Sequence, residues 1–69
     1  MKLSARNQLK GTIKEIETGA VNAVIKLDIG GGNIISATIS MDAVKSLDLA
    51  VGKEAYAVIK STSVMVGVE

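Results

Sequence analysis

The sequence predicts an all-β domain, on three observations. Valine and isoleucine recur at every second position in short runs. Glycine-rich or polar breaks separate the runs, and only the stretch 41–47 changes to helical spacing. The 69 residues are 48% hydrophobic and 22% charged, the balance of a globular chain and not of a disordered one. Residues 1–69 are therefore expected to form one domain.

The first strand is expected over Gln8 to Thr18, with Leu9, Gly11 and Ile13 on one face and Lys10, Thr12 and Lys14 on the other. Its register shifts at Glu15-Ile16-Glu17, the mark of a bulge or a strand end. Thr18-Gly19 reads as a tight turn in which Gly19 supplies a positive φ. From Ala20 onward Val21, Ala23, Ile25, Leu27 and Ile29 alternate with Asn22, Val24, Lys26 and Asp28, the clearest strand of the chain. Gly30-Gly31-Gly32-Asn33 makes a hairpin turn into a third strand, Ile34 to Ser40, with Ile35, Ala37 and Ile39 inward.

Met41, Val44 and Leu47 have the spacing of one or two helical turns, with Ser40 as the N-cap and Asp42 in the first turn. A fourth strand follows from Glu54 to Lys60, with Ala55, Ala57 and Ile59 alternating against Tyr56 and Val58. After the polar break Ser61-Thr62-Ser63, a fifth runs from Val64 to Val68. Five strands with one short helix between the third and fourth is the order of an OB-like Greek-key barrel. Val24 and Val58 make two strands apolar on both faces, more than one small barrel hides, which predicts subunit contacts.

Composition excludes several function classes. Without Cys there is no disulfide, thiolate zinc site or thiol nucleophile, and without His the usual general base near pH 7 is missing. Tyr56 is the one aromatic residue and the net charge is +1, which speaks against base stacking and a basic nucleic-acid face. No run approaches the roughly 20 apolar residues of a membrane span, and the N-terminus lacks the apolar core of a secretory signal. The expectation is a soluble cytoplasmic protein that is not an enzyme. With so small a core and no staple, oligomerisation is the remaining source of stability.

Gly30-Gly31-Gly32-Asn33 lacks the Lys and Ser/Thr of a phosphate loop and joins two strands, so it reads as a hairpin. The carboxylate pairs Glu15/Glu17 and Asp42/Asp48 read as solvated side chains and a helix start, not as metal ligands or an acid–base pair. Three polar clusters carry more: Ser4-Ala5-Arg6-Asn7 before the first strand, Ser40 after the third, and Lys60-Ser61 after the fourth. They offer a guanidinium, an ammonium, hydroxyls and amides without a carboxylate, a set that suits a tetrahedral oxyanion. On composition alone, solvated strand ends and a helix cap remain the alternative.

Ser4-Ala5-Arg6-Asn7-Gln8-Leu9-Lys10-Gly11, then Gly19-Ala20-Val21-Asn22-Ala23, Ile59-Lys60-Ser61 and Val64-Met65-Val66-Gly67 together resemble the molbindins. These are Mop-type molybdate-binding proteins related to TOBE domains, and the match is close to the clostridial single-domain members. The resemblance implies an OB-like barrel assembled as a homohexamer, a trimer of dimers, that holds molybdate or tungstate between subunits. It implies a dimer-interface site at Ser4, Ala5, Arg6, Ser40, Lys60 and Ser61, where Ser40 departs from the common Thr but keeps the hydroxyl. A second site near the threefold axis maps to Gly19, Ala20, Val21 and Asn22, mainly through backbone N–H groups. It also implies intracellular storage or homeostasis of the ion, with no other cofactor, no direct side-chain metal ligand, no nucleic acid and no membrane.

The chemistry is consistent with an interface. Removing a dianion from water costs several kcal/mol, and charge-assisted hydrogen bonds return roughly 1.5–3 kcal/mol each, so many aimed donors are needed. A small barrel filled with its own side chains leaves no deep pocket, whereas two chains can close over one ion. The rival expectations are an OB-fold nucleic-acid-binding module and a ligand-free β assembly module.

Overall fold

The computed structural model describes residues 1–69. Polar–apolar alternation builds β1 (Asn7–Thr18), β2 (Asn22–Gly30), β3 (Asn33–Ser40) and β4 (Glu54–Ile59), with α1 (Met41–Ser46) between β3 and β4 and a 3₁₀ turn over Ser61–Ser63. The strands form one antiparallel sheet in the order β3-β2-β1-β4, curled into a half-barrel. Its concave face holds the core: Ile13 from β1, Ala23, Ile25 and Leu27 from β2, Ala57 from β4, and Val44 from α1. Only these 6 of the 69 residues are buried.

Local chemistry explains the elements. β1 pairs Ile13 with Leu27 but Glu15 with Lys26, so Lys14 is the extra residue of a bulge and the strand continues to Thr18. Gly31 and Gly32 have φ of 62° and 79°, the double positive φ of a two-residue hairpin turn. The Asp28 carboxylate accepts the Gly30 N–H at 2.9 Å beside it. Ser40 caps α1 by accepting the Ala43 N–H at 3.0 Å. The loop into β4 is pinned by Gly52 N–H to Ile13 O and Ile13 N–H to Lys53 O, both 2.8 Å.

Three expectations are corrected. Gly19 is not in the positive-φ region. Its N–H donates to Asn22 O, and a Cβ there would sit 2.8 Å from that oxygen, so close approach is what favours glycine. Val21 is not inward: β2 begins at Asn22, leaving Val21 in the turn at 73% exposure. Val64–Val68 is not a fifth strand of this sheet. The tail has no neighbouring strand in its own chain to complete a ladder, and Met65, Val66 and Val68 are 93%, 93% and 96% exposed.

The half-barrel therefore stays open. A groove of about 390 Å³ along its concave side is lined by Ile25 and Leu27 of β2, Ala37 and Ile39 of β3, and Ala55, Tyr56 and Val58 of β4, with Met1, Leu47, Leu49 and Glu54 at its margins. The chain exposes 5314 Å². A folded monomer of this mass exposes about 4,100 Å², so roughly 1,200 Å² is surplus.

The small core makes single positions matter. Ile13→Ala is expected to cost about 2–5 kcal/mol by cavity formation. Gly11→Ala is expected to cost about 1–3 kcal/mol, because its Cβ would lie 2.6 Å from Asp28 O across the β1–β2 pair. Urea unfolding at fixed chain concentration measures both, and wild-type midpoints would contradict this account of the core.

Candidate functional site

Pairing of Asn7 with Ile59 at the ends of β1 and β4 sets the residues before β1 beside those after β4. An open pocket of about 450 Å³ lies between them, lined by Ser4, Ala5, Arg6, Val58, Lys60, Ser61 and Thr62. Five of the six residues expected at the dimer-interface site thus meet in one place. Sequence reasoning missed Thr62 and Val58. Thr62 stood in a break read only as polar, and Val58 was read only as an apolar position of β4 whose neighbours no local pattern reveals.

The sixth residue, Ser40, lies elsewhere. It pairs with Asn22, whose neighbour Ala23 pairs with Thr18 at the far end of β1. That end is roughly 35 Å along the strand from Asn7. Ser40 instead stands beside the second expected set, Gly19, Ala20, Val21 and Asn22. This turn is exposed, but three of its groups are engaged: Gly19 N–H donates to Asn22 O, and Val21 O accepts the Met41 N–H, both at 2.8 Å.

Three lysines are in ion pairs, and the pocket is set apart by holding two cations and no carboxylate. Lys10 pairs with Glu54 at 3.2 Å, Lys26 with Glu15 and Glu17 at 3.4 and 3.5 Å, and Lys53 with Asp48 at 2.7 Å. Arg6 and Lys60 make no ion pair, and no carboxylate lines their pocket. A hydrogen bond and the charge of Glu15, aided by Glu17, raise the Lys26 pKa. The Lys53 hydrogen bond and charge hold Asp48 below the usual carboxylate range. Glu15, Glu17 and Asp48 thus serve exposed ion pairs, and Asp42 serves the first turn of α1. The pocket can offer an anion two cations, the hydroxyls of Ser4, Ser61 and Thr62, and backbone N–H groups.

No helix is long and apolar enough to cross a membrane. Comparison with known proteins places the chain among relatives of its own length. A probable molybdenum-pterin-binding protein from Haemophilus influenzae is 68% identical over 69 residues, 100% of both chains. MopII from Clostridium pasteurianum has a similar structure, with a TM-score of 0.91 and 46% identity over 97% of this chain and 100% of that one. A molybdate-binding protein from Sporomusa ovata gives 0.88 and 42% over 96% and 97%. The TOBE domain pattern matches residues 3–66. The chain therefore belongs to the TOBE domain family, with relatives among the Mop-type molybdenum-pterin-binding proteins.

Proposed function

We propose that this chain binds molybdate or tungstate at subunit interfaces, to store or buffer the ion, and performs no reaction. The observation that carries the reading is the pocket in which Arg6 and Lys60 stand without carboxylate partners among hydroxyls and backbone amides. A tetrahedral dianion without a proton matches a cavity of donors. The names of the relatives also mention pterin. A pterin edge presents donors and acceptors together, and neither the donor pocket nor the apolar groove offers a matching set, so the ion is the better ligand.

The position of Ser40 supports a site shared between copies. One chain brings Ser4, Ala5, Arg6, Lys60 and Ser61, and a second brings Ser40 from the far end of its own sheet. The helix cap uses an acceptor lone pair of the Ser40 hydroxyl and leaves its proton free to donate. The homohexamer, a trimer of dimers, stays part of the proposal, with Gly19, Ala20, Val21 and Asn22 near the threefold axis as a second anion position. The surplus surface supports assembly, since a standard interface covers about 800 Å² per partner. The Val64–Val68 tail is proposed to become the fifth strand by joining an open edge of another copy. Such an addition would complete the Greek-key barrel and cover the groove.

Two measurements test this reading. Lys60→Ala is expected to weaken molybdate binding about tenfold or more in titration calorimetry, as loss of a charge-assisted hydrogen bond predicts, and to leave assembly intact. Unchanged affinity would remove Lys60 from the site. Deleting 64–69 is expected to shift the sedimenting species from an oligomer to a single chain, and an oligomer of unchanged size would rule out the tail as the joining element.

A further inference from the structure

We infer that Asn7 and Gln8 are positioning residues that hold the two walls of the anion pocket in place and engage a carbonyl oxygen of each wall. This rests on the oxyanion reading and goes beyond it, because neither residue lines the pocket. Adjacent residues of a strand point to opposite faces, so the first two positions of β1 can reach in two directions. The Asn7 Nδ2 group donates to Ile59 O at 3.2 Å, and Ile59 directly precedes Lys60 and Ser61. The Gln8 Nε2 group donates to Ala5 O at 2.6 Å, folding the Ser4-Ala5-Arg6 segment back onto the strand that follows it. Each wall of the pocket is therefore fastened to the start of β1 by one side-chain amide.

The chemistry gives this clamp a second effect. A carbonyl oxygen aimed into an anion pocket repels the ligand. Ala5 O and Ile59 O are the carbonyls of a lining residue and of the residue next to one, and the two amides engage both. An amide turned the other way would set oxygen against oxygen, so these partners fix its orientation. Asn7 is half-buried and Gln8 is exposed. Gln8 has little packing to lose, which makes it the cleaner probe.

The test uses the full chain and sodium molybdate, with sodium sulfate as the smaller dianion, followed by titration calorimetry. Gln8→Met and Asn7→Leu keep size and remove the donor without adding charge. Each is expected to weaken molybdate binding about three- to tenfold, the range of one ordinary hydrogen bond. Because the donors lose their spacing, the molybdate-to-sulfate affinity ratio is expected to fall as well, with the thermal midpoint and sedimentation of Gln8→Met unchanged. Lys10→Ala, which removes only the outward pair with Glu54, is expected to bind like wild type. If wild type binds molybdate and Gln8→Met binds it with the same affinity and ratio, the clamp is refuted while the site stands. If affinity falls only together with the thermal midpoint, the residues are structural and the inference is equally refuted. A wild-type chain that takes up no molybdate refutes the site itself.

Discussion

A sheet that curls without closing governs everything else in this molecule. Four strands give β1 and β2 a neighbour on each side and leave β3 and β4 with one unpaired edge each. The concave face is apolar from Ile25 to Val58, yet only α1 and the loop after it cover part of it. A closed barrel would hide those side chains and abolish the edges; this half-barrel presents both. The exposed valines of the tail are the complementary fault, a strand-like sequence without a sheet. Open edge, uncovered groove and unpaired tail are all features that the proposed assembly with a second copy would satisfy.

The same openness decides the electrostatics of the pocket. Two unit charges 4 Å apart attract by about 1 kcal/mol in bulk water and about 4 kcal/mol in the environment of a protein surface with restricted solvent. Arg6 and Lys60 on a solvent-open wall would therefore hold an anion weakly, and in the proposed assembly a neighbouring chain that excludes water would strengthen both. The other lysines show how the surface avoids competition. Lys10, Lys26 and Lys53 pair with Glu54, Glu15, Glu17 and Asp48, none of which lines the pocket. Exposed pairs of this kind contribute little stability, roughly 0–1 kcal/mol each, so their value here lies in where they put the negative charge.

Alternation made β1 to β4 legible because each strand buries one face, and the change of period at Met41 marked α1 with its Ser40 cap. The shift of phase at Glu15-Ile16-Glu17 left a bulge or a strand end open, and pairing places the bulge at Lys14 with the strand continuing. Boundaries were less legible: Val21 continues the alternation of β2, but the close approach of Gly19 to Asn22 O makes it part of the turn. Val64–Val68 reads as a strand because its composition is that of a strand, while pairing depends on a neighbour that no local pattern names. The site divided along the same line. The polar clusters stood out as residue types, and the pairing of Asn7 with Ile59 brings two of them together. Ser40 was grouped with them as a donor at a strand end, and only sheet topology reveals that its own chain carries it to the other end.

In the proposed site, selectivity would follow from a seam rich in donors and free of carboxylates. Hydrogen phosphate brings its own O–H, and burying that proton without an acceptor costs roughly 1–3 kcal/mol, a discrimination of about five- to 150-fold. The discrimination survives only if no backbone carbonyl or hydroxyl oxygen serves as the missing acceptor. Ala5 O, on a lining residue, and Ile59 O, next to one, are two such carbonyls, and each already accepts from a side-chain amide. Sulfate carries no proton and passes this filter, so it must be refused by distance: its oxygens lie closer to the centre, and donors fixed for a larger ion cannot all reach them. Rejecting phosphate is thus a matter of hydrogen-bond polarity, and rejecting sulfate a matter of rigidity. The amides at the start of β1 bear on both, because the bonds that mask the carbonyls also fix the spacing of the walls.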